Sequence, residues 1–283
     1  MPEVERALLA KGLDYAIEES DDSVALSRGA RGALDAGDRF VVAVGDDRTV
    51  ADVVNGMIDS DRPVAEGAVL GVVAAGSGCD FVRTFGLPGD ATRATTLLAG
   101  DKVVPFDVAR VEFTNRDGNT VVRYFPGVAQ IGMGAAMAAR AERLPRALGR
   151  ARYFAGFWST LAGYRPATMS IEAGSSRFEG RATTAVVANC QYHGEGRRVS
   201  PRSWPTDGLL DVLVMTGPKS DAFTRLPAMY QGDYLPDPNV VEMKGRTIRV
   251  EGDRALPIEA DGTTLGTTPA TFGVVRLPLR LKV

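Results

Sequence analysis

The chain has 283 residues, 45% hydrophobic and 24% charged, an ordinary globular mixture with length enough for two domains. Its 33 basic and 35 acidic residues leave a formal net charge of -2, so no nucleic-acid partner is expected. Two distant cysteines, Cys79 and Cys190, and a lone histidine, His193, exclude a disulfide framework and a Cys/His zinc site.

Taken in order, Val4 to Lys11 reads as a helix, Asp14 to Glu18 as a short strand and Ser23 to Ala36 as a second helix. Phe40 to Val44 is a continuous apolar run entering a Gly-containing turn, the signature of a buried parallel strand. Thr49 to Ser60 reads as helix, Val69 to Val73 as another buried strand, and Ala91 to Leu98 as helix. The β-α-β-α order predicts a doubly wound parallel sheet covered by helices. From about Val103 the texture changes to short alternating segments, at residues 109–113, 120–125, 168–172, 183–189, 210–215, 247–251 and 273–277. That pattern predicts an antiparallel β-sandwich. A helical stretch from Ala135 to Gly163, broken near Pro145, and another from Asp221 to Tyr230 interrupt it. The domain boundary is expected near residues 102–107, giving 1–104 as one domain and 105–283 as the other, the last strand returning to the first.

The segment Gly45-Asp46-Asp47-Arg48-Thr49-Val50-Ala51-Asp52-Val53-Val54-Asn55-Gly56 leaves a buried strand and opens a helix. Such a junction offers backbone N–H groups and a positive helix end to phosphate. One glycine and a run of acidic residues fit an ordinary capped helix as well. The same segment resembles the G-G-D-G-T-x-N-E-V-x-N-G signature of the diacylglycerol kinase catalytic family. Leu70 to Phe81 is similar to that family's L-G-x-x-P-x-G-T-x-N-D-F. Asn189 through Gly194-Glu195-Gly196 to Pro201, then Asp207-Gly208-Leu209-Leu210-Asp211, and finally Glu259-Ala260-Asp261-Gly262-Thr263 follow in the family's order. The resemblance runs from about residue 4 to the end. It implies a nucleotide-binding α/β domain, a β-sandwich domain on the lipid side, and ATP between them.

The resemblance also implies roles. Gly45, Asp46, Asp47, Arg48, Thr49 and Asp52 would border the ATP phosphates, with Gly76, Ser77 and Gly78 closing over the nucleotide. Asp80 is expected to be structural. Asp207 matches a magnesium-binding aspartate, completed by the backbone oxygens of Trp204 and Leu209, as suits a hard cation; a turn aspartate before Gly208 is the plain alternative. The acceptor is a lipid hydroxyl, and its proton needs a base. The family's Glu is replaced by Thr263, which leaves Asp261 or Asp47.

Several departures weaken the expected activity. Threonine is no base at neutral pH, and loss of a general base costs on the order of 10²–10⁴ in rate. Asp46 puts a carboxylate where phosphate should approach, and Arg48 stands in place of a glycine. Ala51, Asp52 and Cys79 replace other family residues. Family members start with a strand carrying N-P-x-S-G that this chain lacks, which suggests a misplaced start. The expectation is a lipid kinase of reduced activity, the runner-up a non-catalytic nucleotide- or lipid-binding protein, and a third reading an enzyme like NAD kinase. Arg140, Arg143, Arg146, Arg150 and Arg152 precede Phe154, Phe157 and Trp158, a basic-then-apolar order that suits peripheral membrane contact. No apolar run reaches the ~18 residues of a span, so a cytoplasmic protein is expected; a homodimer is compatible with it.

Overall fold

The computed structural model describes residues 2–10, 12, 14–75, 78–115, 117–145 and 151–283. The first part comprises α1 (Pro2–Ala10), α2 (Ser23–Asp35), β1 (Phe40–Gly45), α3 (Asp47–Met57), the small hairpin β2 (Ile58–Asp59) and β3 (Arg62–Pro63), β4 (Val69–Ala74), α4 (Asp80–Thr84) and α5 (Ala91–Leu98). The second comprises β5 (Val103–Thr114), β6 (Thr120–Phe125), β7 (Val128–Gly132), α6 (Met133–Glu142), α7 (Ala151–Gly163), β8 (Ala167–Ala173), β9 (Ser176–Ala182), β10 (Thr184–Ala188), β11 (Leu210–Met215), α8 (Asp221–Thr224), α9 (Leu226–Gln231), β12 (Val240–Gly245), β13 (Thr247–Gly252), β14 (Pro257–Ala260) and β15 (Thr263–Lys282).

β1 pairs in parallel with β4, and β4 in parallel with the last residues of β15. Both faces of this small sheet are apolar, because helices cover both. Ala43, Leu70 and Val72 pack with Ala30, Leu34, Val50 and Val54 of α2 and α3. On the other face Val42, Val44 and Val73 pack with Val4 of α1 and with Ala94 and Leu98 of α5. Helices on both faces make it doubly wound, as expected.

The second part is antiparallel, in the order β12-β11-β10-β7-β14-β15-β13-β8-β9. Strand β8 shows the required period of two: Ala167, Met169, Ile171 and Ala173 are fully buried while Thr168 and Glu172 face solvent. The sandwich core closes around Phe125 and Phe272, which meet edge-on at 6.2 Å.

Two long strands join the halves. β5 starts at Val103, inside the expected boundary region, and runs antiparallel to β15 from Thr114 back to Val103. Their ladder is interrupted between Val275 and Leu279, where Leu277 takes a φ of 48°. The fully buried Asp107 holds this break: Oδ1 accepts from Leu277 N at 2.9 Å and Oδ2 from Gly208 N at 2.7 Å.

Some expected elements differ. Residues 14–18 form no strand; they are exposed and no neighbouring strand offers a ladder to Tyr15 and Ile17. α3 starts earlier, at Asp47, because Asp46 caps it, and it ends at Met57. The strand read at residues 273–277 is one segment of the 20-residue β15. β7, β9, β12 and β14 escape the pattern reading, being short or broken by glycine and charge. The helical stretch after Ala135 is two helices; residues 146–150 lie outside the described set.

Candidate active site

Four segments from both halves converge at the amino end of α3. The β1-to-α3 junction is built by Asp46, whose Oδ1 accepts from Thr49 N at 3.1 Å and from Thr49 Oγ1 at 3.2 Å, an N-cap that closes the first turn. Gly45 is required beside it, since an added Cβ would stand 2.3 Å from Thr49 Oγ1.

Asp47 caps a different helix. Its carboxylate accepts from Asp80 N at 3.0 Å and Phe81 N at 2.8 Å, the first N–H groups of α4, and from Cys79 Sγ at 3.3 Å. Burial raises its pKa, and the two backbone donors oppose that rise. Asp80 in turn accepts from Gly196 N at 2.7 Å and pairs with Arg83 at 3.2 Å, which ties the loop after β4 to the loop after β10. Oδ2 of this buried carboxylate has no partner. Asp80 is therefore a fastener between the halves, as its expected structural role implies.

The Asp261-Gly262 turn joins β14 to β15. Both residues have positive φ, 43° and 79°, the backbone of a type I′ hairpin and the reason Asp-Gly stands here. The Asp261 side chain points into the protein, Oδ2 accepting from Gly127 N at 3.0 Å and Oδ1 from Val128 N at 2.8 Å. Burial and then the Asp47 charge push its pKa up to about 7, against those two donors. The turn lies on α3: a Cβ built at Gly262 would stand 3.8 Å from the Arg48 Cβ. Thr263, next along, keeps a buried Oγ1 with no hydrogen bond.

His193 and Glu259 complete the cluster, and sequence reading assigned neither a role. The imidazole Nε2 stands 3.2 Å from Glu259 Oε2, and Glu259 Oε1 accepts from Gly262 N at 2.5 Å. Oε2 has no aligned hydrogen bond, so its contact with His193 is one of charge.

The other expected residues lie as follows. Asp52 is 2% exposed and turns away from the junction, accepting from Ser23 Oγ at 2.5 Å and pairing with Arg123 of β6. It fastens α3 to α2 and β6. Gly78 has a φ of 123°, and a Cβ built there would stand 3.9 Å from an Arg83 guanidinium nitrogen. Gly76 and Ser77 lie outside the described residues.

Two ligand tests follow. For a polyphosphate, the donor set suits the chemistry: Arg48 on the first turn of α3, Arg83 in α4 and Arg197 in the loop after β10 belong to segments that meet here, Arg48 being exposed, and arginine binds phosphate oxygens in a fork. The helix end itself contributes less, because Asp46 already takes both Thr49 donors. For the magnesium expected at Asp207, Trp204 and Leu209, the residues do not fit. Lys244 Nζ lies 3.5 Å from Asp207 Oδ2 and 3.1 Å from Asp211 Oδ1. Asp207 Oδ1 is taken by Leu209 N at 2.9 Å. The Trp204 oxygen accepts from Thr206 N and Asp207 N. An ammonium fills the place of the cation, and no cluster of metal-ligating side chains occurs among the described residues. A cavity of about 470 Å³ lined by Pro63, Glu66, Val103, Pro105, Pro278 and Arg280 shares no residue with this site.

Comparison with known proteins decides the family. Residues 127–283 match the YegS C-terminal NAD kinase beta sandwich-like domain, and residues 1–111 match the diacylglycerol kinase catalytic domain. The chain belongs to the diacylglycerol kinase catalytic family. It is 27% identical over 259 residues to the diacylglycerol kinase of Mycobacterium tuberculosis (strain CDC 1551 / Oshkosh), covering 86% of this chain and 79% of that protein. It is 26% identical over 241 residues to the diacylglycerol kinase of Bacillus subtilis (strain 168), covering 82% and 74%. The fold is similar to the crystal structure of a diacylglycerol kinase from Bacillus anthracis str. Sterne, with a TM-score of 0.69, 19% identity and coverage of 98% and 90%.

Proposed function

We propose that this family member is a slow lipid kinase, transferring the terminal phosphate of ATP to the hydroxyl of diacylglycerol or a related lipid alcohol. The observation that carries the reading is the packing of the Asp261-Gly262 turn on Arg48. It sets a sandwich loop against the amino end of α3, so both substrates could be gripped by parts of different halves. Arg48, Arg83 and Arg197 would neutralise the phosphates. Little covalent chemistry is asked of a kinase beyond positioning and charge neutralisation, which these groups supply.

The slow rate follows from two contacts. Asp46 occupies the Thr49 donors, and Thr263 cannot take a proton. The same Asp46 contact favours a second reading, a binding protein without turnover. No helix among the described residues is long and apolar enough to cross a membrane. Lipid access is instead supported by an exposed aromatic cluster: Phe154 (68% exposed) and Trp158 (46%) meet at 5.9 Å, and Trp158 meets Phe223 of α8 at 5.8 Å. We read this cluster as the contact with a lipid surface.

The test is transfer of labelled γ-phosphate from ATP to a panel of lipid alcohols in mixed micelles, with nucleotide binding followed by calorimetry. Transfer to a lipid supports the kinase. Nucleotide binding without transfer to any lipid supports the second reading.

A further inference from the structure

Resting on the lipid-kinase reading, the geometry points to His193, oriented by Glu259, as the group that takes the acceptor hydroxyl's proton. The two carboxylates that sequence reading offered for this task have their oxygens engaged. Asp261 accepts a backbone N–H on each oxygen, and Asp47 spends both oxygens on the start of α4. His193 is differently placed. Nε2 faces Glu259 at 3.2 Å, and Nδ1 has no hydrogen bond to any described residue. The ring keeps 13% exposure while the Glu259 side chain keeps 2%. A buried carboxylate beside an imidazole stabilises its charged form, and a ring whose Nε2 faces that carboxylate leaves Nδ1 to accept a proton.

The position is as informative as the pairing. Glu259 is anchored by Gly262 N, and Gly262 lies against Arg48 at the phosphate end of α3. The pair therefore stands at the Asp261-Gly262 turn, which is followed by Thr263, the residue in place of the family's carboxylate. In the step, the lipid hydroxyl gives its proton to Nδ1 as its oxygen bonds to the γ-phosphorus. The bond from that phosphorus to the β,γ-bridging oxygen breaks, the nucleoside diphosphate leaves with the electron pair, and His193 releases the proton to solvent. The groups facing the imidazole are Glu259 on β14, Asp261 in the turn and Arg197 on its own loop, with Asp47 of α3 behind Asp261. Burial, the largest single influence, and Arg197 lower the imidazole's pKa; the Glu259 carboxylate beside it and the Asp261 charge together outweigh them and hold the ring above its ordinary value. Only the neutral ring can act, so kcat should still be rising with pH above the ordinary histidine range.

Because His193 is the sole histidine, one imidazole resonance in ring-¹³C-labelled protein reports it. Expected are a lipid-phosphorylation kcat lowered about 100-fold or more in H193Q, with KM for ATP within about threefold. In E259Q the acidic limb of kcat and the imidazole titration should move down in pH together. Retention of more than about a tenth of wild-type kcat by H193Q, with turnover intact in wild type, overturns the proposal while leaving the kinase reading in place. An imidazole titration indifferent to E259Q also overturns it, whatever the fate of the H193Q protein. Wild-type protein that binds ATP but phosphorylates no lipid overturns the kinase reading, and the proposal with it.

Discussion

Lys244 of β12 lies directly across the ladder from Asp211 of β11, and its ammonium reaches that carboxylate at 3.1 Å and Asp207 at 3.5 Å. Asp211 is nearly buried, which raises its pKa, and Lys244 opposes the rise. An internal cation removes the need for a bound one. Chelator or millimolar magnesium should leave the thermal midpoint unchanged. Lys244→Met should cost about 1–2 kcal/mol, less than a fully buried pair because Lys244 is 41% exposed. Scanning fluorimetry checks both; a wild-type midpoint that rises with magnesium would contradict the assignment.

The carboxyl of Asp261 gives stability a pH dependence whose sign can be stated. Its folded pKa, pushed up to about 7, exceeds the unfolded value of about 3.9. The native state therefore holds the proton more tightly. The resulting stabilisation is present below about pH 4 and is lost as pH rises through about 7, a change of up to about 4 kcal/mol. His193, also raised, adds a loss in the same direction above its unfolded value of about 6.5. Urea midpoints should fall between about pH 4 and 7, with the His193 contribution extending the fall above that, and Asp261→Asn should flatten the part below about pH 7. Asp47→Asn removes the charge that helps to raise Asp261, so it should shift the fall to lower pH.

Arg48 tests how the phosphates are held. It projects into solvent from the first turn of α3, between the Asp46 cap and the Gly262 turn. Arg48→Ala should weaken nucleotide binding about tenfold, the lower end for a lost charge-assisted hydrogen bond. Arg48→Lys should restore only part of it, since the fork is lost. Calorimetry with ATP reads both; unchanged affinity in the alanine variant would remove Arg48 from the site.

The aromatic cluster predicts a separation of membrane binding from stability. Phe154→Ser with Trp158→Ser should lower partitioning onto anionic vesicles at least about tenfold, given about 1.5–3 kcal/mol per large apolar side chain fully withdrawn from water. The thermal midpoint should stay within about 2 °C, because both side chains are already exposed. Vesicle sedimentation is the measurement.

What the sequence disclosed depended on range. Runs such as Phe40–Val44 and Val69–Val73 name buried parallel strands without help. Tyr15 and Ile17 alternate like strand residues, yet alternation cannot supply the neighbour a strand needs. The same limit hid the site. Lys244 sits 37 residues beyond Asp207, and no local pattern tells that its ammonium comes to rest there. Glu259 stood only as the first residue of a family-like segment and His193 only as a lone histidine. Asp107 did carry a usable signal: a lone carboxylate inside the apolar strand Val103–Val108 must find buried donors, and it found Leu277 N and Gly208 N.

The crossing of β5 and β15 between the halves also sets how the molecule can move. Two antiparallel strands stitched by a ladder make a ribbon, and a ribbon flexes readily across its flat face while resisting swivel and shear in its plane. Any breathing that admits a lipid should then be a one-axis bend, centred on the break near Leu277 that Asp107 pins. Loosening that pin would change how far the jaws part without touching a single group that meets the substrates.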